Sequence, residues 1–192
     1  MPRRLASVAV ALACAVALAG CSSASGSQPA PASPQLETLA TGEDGVIPVD
    51  ERQLAPVLAG TTLDGEPLDV SDLRGSVVVL NFWASWCAPC RAEAQTLNEV
   101  AARTADDGVR FVGVNVKDER SPAQAFERNQ SVSYPSLHDQ PGRLLLQFRG
   151  VVPQTPPTTL VLDRQGRIAA FFAGEVRLSE LLDPVRSIAA EA

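Results

Sequence analysis

Residues 77–90 read Val-Val-Val-Leu-Asn-Phe-Trp-Ala-Ser-Trp-Cys-Ala-Pro-Cys. The opening run Val77–Leu80 is wholly apolar, which suits a strand buried on both faces of a sheet. The stretch ends in a Cys-x-x-Cys pair, Cys87 and Cys90. Fifteen residues of helical spacing without Pro or Gly follow, Arg91 to Ala105. A buried strand therefore delivers a dithiol to the start of a helix. Unpaired N–H groups and partial positive charge there favour a thiolate.

The chain around this stretch is 192 residues long, room for one ordinary domain plus tails. Its net charge is −6 and it has no run of Lys or Arg beyond Arg3-Arg4, which argues against nucleic acid as a partner. The four cysteines are Cys14, Cys21, Cys87 and Cys90. Two cysteines with two residues between them are no disulfide framework. A zinc site wants four ligands and only His138 is left to help, so no metal is expected.

Residues 1–20 pair two arginines with an apolar run from Leu5 to Ala19, short for a membrane span and fitting a signal segment. Leu18-Ala19-Gly20-Cys21 matches the bacterial lipoprotein signal, which implies cleavage before Cys21 and lipid on its thiol. The alternative is an ordinary secretory signal cut nearby. Residues 21–52 begin as a Ser/Pro-rich tether of the kind anchored domains carry, making Cys21 the expected lipidation site. Cleavage removes two basic residues and no acidic one, so anchoring would rest on acyl chains rather than on attraction to anionic lipid. The domain itself is expected over 53–192, with Val46–Val49 a possible short edge strand.

Within that span, Leu54–Leu58 and Leu68–Val70 flank the Asp64-Gly65 turn signal of a hairpin. A helix is expected from Ala88 to about Thr104, with Leu97, Val100 and Ala101 as its apolar stripe. Val109–Val116 is a second core strand. Ser121-Pro122 reads as an N-cap and first helical residue, opening a helix through Phe126 to Gln130. Tyr134–Leu137 is a short extended segment, and Gly142–Phe148 one or two helical turns. Thr158–Leu162 and Arg167–Phe172 form a hairpin, and Leu178–Ala190 a final helix. This order predicts an α/β sheet with helices on both faces.

One helical turn brings both sulfurs within disulfide reach. Cys87, at the helix edge, is expected to be the more exposed attacking group, with Cys90 resolving the mixed disulfide. Pro89 falls where a missing N–H costs little. A static disulfide closing so small a loop would contribute little by chain entropy.

Phe82-Trp83-Ala84-Ser85-Trp86-Cys87-Ala88-Pro89-Cys90-Arg91 resembles the thioredoxin superfamily active site, in its TlpA/ResA-like branch of exported bacterial thiol–disulfide oxidoreductases. Ala55-Pro56, Leu63-Asp64-Gly65, Leu73-Arg74-Gly75 and Pro157-Thr158-Thr159 match the same branch. The resemblance implies a thioredoxin-like fold with an added N-terminal β-hairpin and a central helix insertion around Ser121–Leu137. It implies no cofactor beyond a redox-active Cys87–Cys90 disulfide.

The resemblance also carries residues. Pro157 matches the family's cis-proline, in a loop that offers backbone to a substrate peptide. Pro156, just before it, removes an N–H, and Val152–Pro156 makes the approach longer and stiffer than usual. Trp86, Ala88 and Pro89 are expected to line the substrate surface, Trp86 as a lid and Trp83 as core. Glu93 matches an acidic residue one turn past the second cysteine, expected to exchange a proton with Cys90 from a half-buried site with a raised pKa. Asn81 stands where cytosolic thioredoxins carry a buried aspartate. Gln95 replaces a frequent proline, so a straighter helix is expected. His138 lies on an expected loop and is assigned no role.

The expected activity is a membrane-anchored, extracytoplasmic reduction of protein disulfides, as in cytochrome c maturation. The partners implied are cysteine-containing exported proteins such as apocytochrome c, and a membrane thiol–disulfide transporter as electron source. The alternative is a disulfide-forming oxidase. A peroxidase would want Pro and Thr or Ser where Leu80 and Ala84 stand. Copper delivery would want a three-residue spacer between the cysteines and a nearby histidine, where this chain has a two-residue spacer and one His.

Overall fold

The computed structural model describes residues 45–191; the expected signal segment, most of the expected tether and Cys21 lie outside them. Strand β3 (Val77–Trp83) is buried at every position and forms the middle of a five-stranded sheet. Parallel to it runs β4 (Val109–Val116), and parallel to β4 runs β5 (Ser136–Asp139). On the other side β6 (Thr158–Leu162) is antiparallel to β3, and β7 (Ile168–Ala173) is antiparallel to β6. The order is β5-β4-β3-β6-β7. A buried strand with neighbours on both sides explains why Val77–Leu80 is apolar without alternation.

Helix α1 (Ala88–Thr104) connects β3 to β4, and α2 (Arg120–Gln130) connects β4 to β5. Each new strand is added on the same side of the last, so right-handed crossovers place both helices over one face. Helix α4 (Leu178–Ala189) joins them there, burying Leu181 and Val185 against Val77, Val79 and Val161. Helices lie on both faces, as expected, but unevenly: the three long ones share this face. The other face, made of Val78, Leu80, Phe82, Val112 and Val114, is covered by Leu58 and Phe148 from irregular chain, by Val70 from a 3-10 turn (Val70–Leu73) and by α3 (Arg143–Leu146), a single turn.

The N-terminal hairpin exists, but its strands are β1 (Ala59–Thr61) and β2 (Pro67–Asp69), closer to the Asp64-Gly65 turn than the apolar residues suggested. Leu58 and Val70, read as strand, instead point into the core beyond its ends. Helix α2 begins one residue before Ser121, with Glu119 at the cap position and no side-chain cap. Ser121 is thus a first-turn residue rather than the N-cap. Pro122 still falls within the first turn, where no helical partner is lost.

The packed body also starts earlier than residue 53. Val46 bridges to Ala170, Ile47 donates its N–H to Ala169 O at 2.8 Å and is fully buried, and a short 3-10 turn covers Val49–Glu51. Arg52 is buried too, its Nη1 3.4 Å from Asp163 Oδ2 and 2.5 Å from Glu191 Oε2. Residues 46–52, read as the end of a linker, are therefore part of the domain. The expected edge strand at Val46–Val49 reduces to the one bridge.

Candidate active site

The site lies at the C-terminal ends of the parallel strands β3 and β4, where turns leave the sheet. Cys87 is the N-cap of α1, and its Sγ accepts the N–H of Cys90 at 3.2 Å. Side-chain capping by a sulfur meets one of the orphan donors of the first turn. Pro89 occupies that turn, as expected. Cys87 and Cys90 are joined by a disulfide with their Cα atoms 5.3 Å apart. Cys87, expected to be the more exposed of the two, is 4% exposed against 2% for Cys90, so both sulfurs sit in buried residues. Its access comes from the rim. Trp86 is 56% exposed, and Ala88 and Pro89 are exposed beside it.

The Pro156–Pro157 peptide bond is cis. Pro157 is buried directly before β6, whose first residue Thr158 pairs with Phe82 of β3. This register puts the proline turn beside Trp83, at the same end of the sheet as the disulfide. Pro157 O already accepts from Gly174 N at 3.0 Å, and Thr155 O accepts from Thr158 Oγ1 at 3.0 Å. Pro156 and Pro157 contribute no N–H groups to this loop.

Behind the cysteines, Glu93 on α1 is 1% exposed, so it is buried rather than half-buried. Asn81 Nδ2 donates to its Oε1 at 2.8 Å and to Thr159 Oγ1 at 3.1 Å; Val176 N donates to Glu93 Oε2 at 3.1 Å. Burial raises the carboxyl's pKa, the two donors oppose that, and the charge of Glu175 adds to it; the net result is about 7. The Tyr134 hydroxyl is pushed above the usual phenol range by burial and by the charges of Glu93 and Glu127. A small cavity lined by Asn81, Trp83, Ala94, Phe126 and Tyr134 backs onto Cys90. Trp83 is core, as expected, stacked on Phe126 with centroids 4.5 Å apart. Gln95 donates to Gln130 O at 3.0 Å, tying α1 to α2.

Three residues to which the sequence reading gave no role lie around the turn in front of the cysteines. The Asp118 carboxylate accepts from Ser85 N at 2.6 Å, Ser85 Oγ at 3.0 Å, Asn115 Nδ2 at 3.0 Å and Glu119 N at 2.9 Å. Lys117, with φ +52°, directs its carbonyl to Trp86 Nε1 at 3.0 Å. His138, expected on a loop, is in β5, and its Nε2 is 3.1 Å from Asp118 O. The available signal was positional, since both turns follow parallel strands and such turns carry sites.

A dithiol at a helix N-terminus, a cis-proline turn beside it and a buried acid one turn on define a thiol–disulfide oxidoreductase of thioredoxin-like fold. Comparisons agree. Residues 52–171 match the model of the AhpC/TSA family, and the chain belongs to that family. It is 27% identical over 134 residues to the thiol-disulfide oxidoreductase ResA of Bacillus thuringiensis subsp. konkukian, covering 70% of this chain and 76% of the relative. It is 36% identical over 136 residues to the thiol:disulfide interchange protein HelX of Rhodobacter capsulatus, covering 68% and 74%. Among solved structures, it superposes on a secreted thiol-disulfide isomerase from Corynebacterium glutamicum with TM-score 0.72 and 35% identity, covering 80% of this chain and 98% of that one.

Proposed function

We propose that this oxidoreductase works outside the cytoplasmic membrane, held there by lipid on Cys21, and reduces disulfides of exported proteins, apocytochrome c among them. The observation that carries the exchange chemistry is Glu93, a buried acid one turn beyond Cys90, held by Asn81 and Val176, whose pKa lies close to neutrality. In the reductive direction the Cys87 thiolate attacks a substrate disulfide. A Cys87–substrate S–S bond forms and one substrate sulfur leaves as thiolate. Cys90 then loses its proton and attacks Cys87 Sγ, closing the Cys87–Cys90 disulfide and freeing the second substrate thiol. The protein dithiol is oxidised by two electrons and the substrate disulfide reduced by two. A carboxyl titrating near pH 7 suits the proton step, because acid–base groups work best near the operating pH. The electrons would return from a membrane thiol–disulfide transporter.

Likeness to a protein named as a secreted isomerase favours a second reading, in which the dithiol forms or rearranges disulfides in secreted proteins. The reduction potential separates the two. A value below about −200 mV, on the side of glutaredoxin and thioredoxin, supports reduction; a value near about −120 mV, like DsbA, overturns it. Anchoring is tested by acyl labelling of cells, with label on the native chain and none on Cys21→Ser.

A further inference from the structure

We infer that Asp118 is a positioning residue for the redox chemistry, a carboxylate on the β4–α2 turn that holds the Ser85–Trp86 turn and thereby places Cys87. Ser85 offers both its backbone N–H and its hydroxyl, one to each carboxylate oxygen. The remaining donors, Asn115 Nδ2 and Glu119 N, also fall one on each oxygen, so the carboxylate plane is fixed from both sides. Donors to an ionised acceptor make the stronger class of hydrogen bond. Asp118 is itself buried, at 6% exposed, where water competes little for them.

The neighbours reinforce the assignment. Lys117 adopts φ +52°, a region that non-glycine residues visit rarely and that tends to mark functional turns. This conformation accompanies the bond from Trp86 Nε1 to the Lys117 carbonyl. Two successive residues of one turn therefore grip two successive residues of the other, Asp118 on Ser85 and Lys117 on Trp86. Asn115 is fully buried, and its Oδ1 has no partner among the described residues. Its visible role is the bond to Asp118, and a buried unsatisfied oxygen is a cost tolerated at functional sites. Arg91 closes the arrangement by donating Nη1 to Ser85 O, from the helix that starts at the cysteines.

Cys87 is the residue directly after Trp86, and the attacking sulfur must meet an incoming disulfide along a narrow range of approach. Releasing the turn lets Cys87 wander, and misplacement of about 1 Å costs on the order of a hundredfold in rate when geometry is rate-determining. Asp118 touches neither sulfur and acts through Ser85 and the backbone.

The test compares Asp118→Ala, Asp118→Asn and Ser85→Ala in the mature protein with an intact dithiol. Three quantities are measured: the rate constant for reduction of insulin disulfides, the reduction potential, and the change in Trp86 fluorescence between oxidised and reduced protein. Asp118→Ala is expected to lose roughly tenfold or more in exchange rate per folded molecule and to alter the fluorescence change. Asp118→Asn, which keeps one acceptor oxygen, is expected to lose less, and Ser85→Ala, which removes one bond of the four, about threefold. Native exchange rates, potential and fluorescence change in folded Asp118 variants overturn the inference, even if their melting temperatures fall. Should Asp118→Ala fail to fold, Ser85→Ala decides: a reduced rate with a native melting temperature supports the assignment, and a native rate overturns it.

Discussion

Asn81 Nδ2 stands 2.8 Å from Oε1 of Glu93, joining the central strand to α1 one turn past Cys90. The amide donates to the carboxyl whether or not the carboxyl holds its proton, and it does not itself titrate. Acid–base behaviour on this contact therefore belongs to Glu93 alone, with a pKa of about 7.

Replacing Glu93 by Gln keeps the shape and removes the proton. The resolving attack by Cys90 is expected to slow by about a hundredfold near neutral pH, the lower range for loss of a general acid–base group. Its rate should also lose the inflection near the carboxyl's pKa. Stopped-flow exchange followed from pH 5 to 9, about two units either side of that pKa, checks both.

Glu93 also fixes how stability responds to pH. Its pKa rises from 4.5 in the unfolded chain to about 7 in the folded protein, so between these values the native state holds the extra proton. Stability from this group is fully present below pH 4.5 and is lost as pH rises through about 7. The loss amounts to about 3 kcal/mol. Urea unfolding at pH 5 and pH 8 should show it, and Glu93→Gln should flatten it.

Asn81→Asp would set a second carboxyl against Glu93. Two acids at hydrogen-bond distance share one proton, so their titration is expected to split into two steps, the upper one above the single value of Glu93. At pH 8 the variant should be less stable than the native protein by about 2 kcal/mol or more. Carbon-detected NMR of the two carboxyls, with unfolding at the same pH, measures this.

Gly113 makes room for the Trp83–Ser136 contact. A Cβ there would lie 2.1 Å from Ser136 Oγ and 2.8 Å from Trp83 Nε1, atoms now hydrogen-bonded at 3.2 Å. Trp83 cannot retreat far, since it is stacked on Phe126. Gly113→Ala is expected to cost about 1–3 kcal/mol, as overpacking does, read from the denaturant midpoint.

A chain starting at residue 53 is expected to be less stable than one starting at 45 by about 4 kcal/mol, combining burial of Ile47 with loss of a buried ion pair. The reason is the partnership of Arg52 with Asp163 and Glu191, and the fully buried Ile47. Paired unfolding curves of the two truncations check it.

Residues 77–90 by themselves determined the central strand, the dithiol and its place at a helix start, because apolar runs, Cys spacing and helical periodicity are local signals. The order of elements after them was legible for the same reason, as was the hairpin turn at Asp64-Gly65. Only the tertiary structure decided which face each helix covers, since that follows from strand order and crossover handedness, and no single segment encodes those. It also brought Glu93 into full burial between Asn81 and Val176, contacts separated by 12 and 83 residues. Asp118 escaped the sequence reading because an aspartate in a loop looks like any solvated acid until a second turn, 33 residues earlier, is folded against it. Residues 46–52 escaped for the matching reason: seven residues of mixed polarity have no periodicity, and only the docking of Ile47 and Arg52 shows that they belong to the domain. The dithiol at the end of β3 is thus written in one stretch, while the surroundings that set its reactivity come from segments far apart in the chain.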